Sequence, residues 1–101
     1  MNKTKNQPFT ILASMLIINS NYVHGKLFLK SDGVYFKGNG QLENNEMRSQ
    51  FLFDDIKHIK FGFSFKPYRI VIQTYKDSHY LFDFVTKHLG NVYVQTVTHY
   101  L

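Results

Sequence analysis

Two short alternating runs on either side of Ser31-Asp32-Gly33 carry the plainest structural signal in the chain. In an extended segment Leu27 and Leu29 point one way, while Lys26, Phe28 and Lys30 point the other. Asp-Gly tolerates the positive φ of a tight turn, so Gly25 to Lys37 is predicted to be a β-hairpin. One face of it is apolar. The other is basic and carries scattered aromatic rings.

The same alternation recurs along most of the chain. Phe9 to Asn19 is almost continuously apolar, and Thr10, Ala13 and Ser14 interrupt any helical stripe, which predicts a first strand covered on parts of both faces. Gly38 to Glu46 is the most polar segment and reads as a loop. Arg48 to Phe53 reads as a fourth strand with Phe51 and Phe53 on one face, ended by a turn at Asp54-Asp55-Ile56. His58 to Phe63 is a fifth, with Ile59, Phe61 and Phe63 aligned. After a corner at Ser64 to Pro67, Arg69 to Tyr75 forms a sixth, in which Ile70, Ile72 and Thr74 alternate with Arg69, Val71, Gln73 and Tyr75. Lys76 to Ser78 turns the chain into a seventh strand, His79 to Phe84, aligning Tyr80, Phe82 and Phe84.

From Thr86 the period changes. Leu89, Val92, Tyr93, Val97, Tyr100 and Leu101 recur at helical spacing, with Thr86 as a candidate N-cap. Gly90 and the β-branched Val92, Val94, Thr96, Val97 and Thr98 are mediocre helix formers. An amphipathic face packed on a core overrides propensity, so a helix is predicted that closes one end of the strands through Leu89, Tyr93 and Val97.

The expected architecture is mainly β: a seven-stranded sandwich or partly open barrel capped by one C-terminal α-helix. The 101 residues suffice for one core, assigned to 9–101, after a flexible N-terminus at 1–8. Ten Phe and seven Tyr supply large buried rings that compensate for the poor surface-to-volume ratio of so short a chain. Cysteine is absent, which removes disulfides, thiol catalysis and cysteine-ligated zinc and fits a reducing cytoplasm. Lys3 and Lys5 before the apolar run imitate a secretory signal, but no clear small-residue cleavage site follows, and the run reads as a strand. A formal charge of +5 draws the surface toward anionic lipid, nucleic acid or an acidic protein, and also keeps a small domain soluble.

The layout resembles the pleckstrin-homology superfold, and most closely its GRAM branch. The resemblance rests on Gly25-Lys26-Leu27-Phe28-Leu29 leading to Val34-Tyr35-Phe36, then Phe53-Asp54-Asp55-Ile56-Lys57-His58-Ile59. Ile70-Val71-Ile72-Gln73-Thr74 and Tyr80-Leu81-Phe82-Asp83-Phe84 follow before the helix. There is a fainter similarity to small stand-alone bacterial PH-like proteins through Lys66-Pro67-Tyr68-Arg69. The resemblance implies a non-catalytic module that binds lipid headgroups, peptides or partner proteins and needs no cofactor. Lipid-binding members cluster Lys and Arg in the first hairpin loop. Here Asn19 to His24 contains neither, which argues against specific phosphoinositide recognition.

The residues themselves offer little catalytic chemistry. Five histidines show no HxxxH or HExxH spacing, and the one same-face pair, His79 with Asp83, is short of a metal site. Asp54-Asp55 has the ordinary role of satisfying turn N–H groups. Gly38-Asn39-Gly40 lacks the third glycine and the helix of a phosphate loop. No patterned His/Asp partner serves a serine nucleophile. The candidate contact surface is the corner carrying Phe65, Lys66, Tyr68 and Arg69, where rings adjoin cations at a sharp turn. The competing reading folds Phe65 and Tyr68 back onto the core. The expected role is a non-catalytic, cytoplasmic interaction module that binds a protein or itself, with peripheral attachment to anionic membrane as the alternative. Nucleic acid ranks below both, because Lys26, Lys30, Lys37 and Lys60 are spread over several strands.

Overall fold

The computed structural model describes residues 9–17, 21–39 and 49–101. Among them seven strands run antiparallel: β1 (Phe9–Leu16), β2 (Tyr22–Lys30), β3 (Gly33–Gly38), β4 (Gln50–Leu52), β5 (Ile56–Phe63), β6 (Tyr68–Thr74) and β7 (His79–Asp83). Helix α1 (Lys87–Tyr100) follows. The expected fold class is the one found, mainly β with a C-terminal helix as cap. The segment 1–8, Arg48 and most of the polar loop lie outside the described residues.

The strands form one sheet in the order β4-β3-β2-β1-β7-β6-β5. β1 pairs with β2 along its whole length but with β7 only at Ser14–Asp83 and Met15–Phe82. Across that junction the sheet doubles back on itself. Phe51 of β4 packs edge-on against Tyr80 and Phe82 of β7, and Phe36 of β3 lies 5.6 Å from Phe82, although neither β3 nor β4 is a sheet neighbour of β7. The sheet does not close between β4 and β5, which are joined by a 3-10 turn at Phe53–Asp55. Phe53 therefore leaves the strand face expected of it and stacks on Tyr100 of the helix.

Alternation places the core as expected in β2 and β6, where Leu27, Leu29, Ile70, Ile72 and Thr74 are buried. The hairpin forms as well, but not for the reason its sequence suggests. Neither Asp32 nor Gly33 adopts the left-handed backbone region. Gly33 is needed because β4 passes close above it: a Cβ there would meet the Phe51 carbonyl and lie 2.8 Å from the Leu52 Cα. In β7 the expected row of Tyr80, Phe82 and Phe84 is cut short. Phe84 turns out of the strand with φ 62°, while Asp83 is buried on the opposite face.

Helix α1 packs against β5, β6 and β1. Tyr93 and Val97 enter the core as predicted, but Leu89 is 43% exposed, and Gly90 and Val94 take the inward positions instead. The Tyr93 hydroxyl donates to the Phe28 carbonyl at 2.9 Å, so this buried ring keeps its polar end satisfied. Thr86 holds the N-cap position without a side-chain capping bond. Thr96 and Thr98 bond back to the Val92 and Val94 carbonyls, one way a helix accommodates such residues.

At Gly90 two effects oppose each other. Alanine is the better helix former by about 1 kcal/mol, yet its Cβ would sit 2.6 Å from Cε1 of Phe61. Overpacking of this kind costs roughly 1–3 kcal/mol. Gly90→Ala is expected to lower the urea midpoint with an unchanged slope; a raised midpoint would show that the helix does not press on β5.

Candidate functional site

Register across the outer face sets one row of polar residues. His24 of β2 lies opposite Ser14 of β1, Ser14 opposite Asp83 of β7, Asp83 opposite Arg69 of β6, and Arg69 opposite Gly62 of β5. The row crosses the short β1–β7 junction. Asp83 is 0% exposed, and its carboxylate is held from two sides. Arg69 donates from Nε at 2.7 Å and from the guanidinium Nη2 at 2.9 Å, a two-point clasp, and the Tyr22 hydroxyl donates to Oδ2. Burial by itself would push the Asp83 carboxyl up. The bonds from Arg69 and Tyr22, with the charges of Arg69 and Lys66, outweigh it and hold the group below the ordinary carboxylate range. Arg69 is in turn held firmly protonated by Asp83. This is a fixed ion pair rather than a proton-transfer group.

Beside it, Ser14 Oγ and His24 Nδ1 are hydrogen-bonded, with Ser14 itself buried. Above it sits the chain reversal at Phe84. An aromatic residue at φ 62° is strained, and its surroundings must hold it there. The Phe84 N–H donates to the Lys66 carbonyl at 3.0 Å, and its ring meets Tyr22 edge-on at 5.2 Å and His24 at 6.0 Å. The Lys66 ammonium lies 5.1 Å from the Tyr22 ring centre and 5.9 Å from that of Phe84. Such cation–π contacts contribute about 0.5–1 kcal/mol at exposed sites.

These bonds pin the β5–β6 corner. Ser64 N–H donates to the Pro67 carbonyl at 2.6 Å, and Lys66 N–H to the Ser64 hydroxyl at 3.0 Å. From this tethered loop Phe65 projects 99% exposed and Phe63 78% exposed. The four residues singled out from the sequence do share one corner, but they divide. Phe65 faces solvent, so it does not fold back. Lys66 lies across Tyr22 and Phe84. Tyr68 does fold back, stacked on Phe61 at 5.6 Å, and Arg69 is committed to Asp83. Arg69 and Tyr68 are therefore supports of the surface, and Phe63 joins Phe65 on it.

Arg69–Asp83 was within reach of the sequence, because Gln73–His79 and Arg69–Asp83 are both centred on Lys76 in the β6–β7 hairpin. Nothing local announces Tyr22, Ser14, His24 or the reversal at Phe84. The paired reading of His79 with Asp83 dissolves, since both Asp83 oxygens are engaged and His79 is exposed. Asp54 and Asp55 sit in the 3-10 turn, as expected. Among the described residues every exposed acid (Asp32, Asp54, Asp55, Asp77) lies in turns at the opposite end of the strands from the corner. No helix among them is long and apolar enough to cross a membrane. The chain matches no protein-family model and no curated protein sequence.

The ion pair makes a signed prediction. Asp83 titrates near 3.9 when unfolded and lower when folded, so its contribution is present above that value and is lost as pH falls through the folded value. Arg69→Met leaves a buried carboxylate with only Tyr22 and Lys66 near it. The expected cost at pH 7 is about 3 kcal/mol, toward the low end for a broken buried pair because the guanidinium is one-third exposed. The deficit should shrink as pH is lowered toward 4, because protonation relieves the orphaned charge. Urea melts of both proteins from pH 7 to 4 check this, and a gap that stays constant or widens would refute it.

Proposed function

We propose that the chain is a non-catalytic interaction module of the pleckstrin-homology and GRAM kind, which binds a partner protein or itself through the β5–β6 corner. The observation that carries this reading is the exposure of Phe63 and Phe65 on a loop whose backbone is tied down on both sides. Leaving large rings in water is unfavourable, by up to ~1.5–3 kcal/mol for a side chain that could be fully buried. A mobile loop could fold such rings away; this corner holds them out. A pre-ordered aromatic contact loses little entropy on binding, and it is the residue class that dominates protein interfaces.

The strand order and the C-terminal cap agree with the resemblance read from the sequence. The non-catalytic reading is supported by the chemistry of the polar row, since Ser14 is buried and Asp83 is neutralised by a guanidinium. A cytoplasmic setting is consistent with the absence of cysteine.

A second reading, peripheral attachment to an anionic membrane, draws on the charge distribution. The corner carries Lys66 beside bare rings, and the exposed acids described above sit at the far end. The two readings differ in their response to salt. Phe65→Ser with Lys66→Glu should leave the chain folded at a cost of about 1 kcal/mol, since neither side chain is part of the core and what is lost is the pair of Lys66 ring contacts. It should abolish concentration-dependent self-association or partner capture in sedimentation velocity, with mild salt sensitivity. Co-sedimentation with phosphatidylglycerol vesicles that falls steeply with salt would transfer the reading to the membrane. Full association by the folded double variant would remove the corner from both.

A further inference from the structure

The sheet ends in two edges of unequal length. β4 has three residues, whereas β5 has eight and forms the terminal strand beyond β6. Among the described residues Ile56–Phe63 pair with β6 alone, and the helix covers the core face of β5 without forming a strand beside it. After the irregularity between Ile56 and His58 the ladder is regular from Ile59 to Phe63. A terminal strand of this kind presents a row of unpaired backbone N–H and C=O groups. On the outer face at Gly62 nothing among the described residues lies within 4 Å of where a Cβ would sit.

The two faces of that edge differ in chemistry. On the outer face stand His58 and Lys60, both exposed, with Lys57 exposed at the irregularity and no acidic residue in the strand. On the other face run Ile59, Phe61 and Phe63, which pass from buried through half-buried to exposed. Phe65 stands fully exposed just beyond them. Leu89 is exposed on the helix next to Gly90, the residue that packs on Phe61.

The geometry points to β5 as a docking edge for an extended acidic peptide segment of a partner protein, added as an eighth strand. Its acidic side chains alternate with apolar ones, the acids facing His58 and Lys60 and the apolar residues lying along Phe61 and Phe63. Strand addition takes its affinity from main-chain bonds and its selectivity from alternate side chains, and these are the two features β5 offers. Charge also decides against a second copy. Pairing β5 with its own duplicate would bring four lysines onto one edge-to-edge seam, where like charges oppose association. The lysines that exclude the chain itself admit an acidic strand. This inference rests on the protein-contact reading of the adjoining corner and names the partner's chemistry.

The test uses the full chain and a set of terminally blocked peptides of roughly ten residues, long enough to span the strand. Glu alternates in them with Val, Ile, Phe or Tyr. Each has a counterpart with Lys in place of Glu, and two versions carrying N-methyl groups on alternate backbone amides in either frame. Fluorescence anisotropy should show binding by members of the acidic set and at least tenfold weaker binding by the Lys counterparts. Methylation should abolish binding in one frame and be tolerated in the other, because only alternate amides of an added strand face β5. Hydrogen exchange should slow at amides between Ile59 and Phe63. Lys57→Glu with Lys60→Glu, checked for an unchanged melt, should invert the preference between the Glu and Lys peptides.

No binding by any acidic peptide overturns strand addition, as does binding indifferent to methylation in both frames. Peptide binding lost with Phe65→Ser but unaffected by methylation keeps the corner as a protein contact and removes the edge. Vesicle binding without any peptide binding overturns both the edge and the protein-contact reading.

Discussion

The structure depends on one buried carboxylate. Among the described residues two pairs join β1 to β7, and one of them is Ser14 with Asp83. So short a ladder is a weak hinge between two sheet halves that must face each other to enclose Phe36, Phe51 and Phe82. Asp83 strengthens it by accepting from Arg69 on β6 and from Tyr22 on β2, so a side-chain bond spans strands on both sides of the junction. A buried charge is costly, and the two-point guanidinium clasp with a phenolic donor offsets that cost. Replacing the group by an apolar one of similar size could be equally stable. What the ion pair adds is direction, because it fixes which residues of four strands stand side by side.

That fixed row has a consequence at the surface. Tyr22 is both a ligand of Asp83 and the platform under Lys66 and Phe84. The backbone of Lys66 accepts from Phe84, whose left-handed conformation a phenylalanine does not adopt unaided. The strain at Phe84 is thus sustained by the same network that joins the halves. The β5–β6 corner inherits its order from this arrangement, and the exposed rings inherit theirs from the corner. Fold stability and the presentation of Phe65 are linked through shared residues, not through distance alone.

Much of this was legible in the sequence, and the limits are physical. Period-two alternation located six of the seven strands, a nearly continuous apolar run located β1, and the change of period at Thr86 located the helix. Both patterns follow from burial on one face, which a single chain records directly. Details that depend on other strands were not recorded. Gly33 suggested a positive φ, yet its real constraint is the backbone of β4 above it. Leu89 fitted the helical stripe as well as Gly90 did, but the approach of Phe61 decided which position faced inward. Arg69 looked like a free cation, although the hairpin register about Lys76 already sets Asp83, fourteen residues on, opposite it; what was not recorded is that Asp83 is buried. Phe84 extended an aromatic row until the chain reversed.

The unclosed seam between β4 and β5 brings these strands of argument together. A fully closed barrel would have no edge to protect, whereas this sheet leaves β5 as a terminal strand. The helix fills the opening from the core side through Tyr93, Val94 and Val97, which settles the apolar requirement but supplies no strand for β5 to pair with. What remains is a backbone edge whose neighbours are lysines on one face and rings on the other. Lysines on an edge are ordinarily protection against uncontrolled pairing. Rings beside them are not protective at all, since they enlarge the apolar surface that protection is meant to hide. A sequence under pressure only to stay monomeric would have made the corner polar, because Phe65 touches nothing that its replacement would disturb. The combination of a guarded edge and an unguarded apolar corner is the arrangement expected where one class of partner is to be admitted and the chain's own copies kept out.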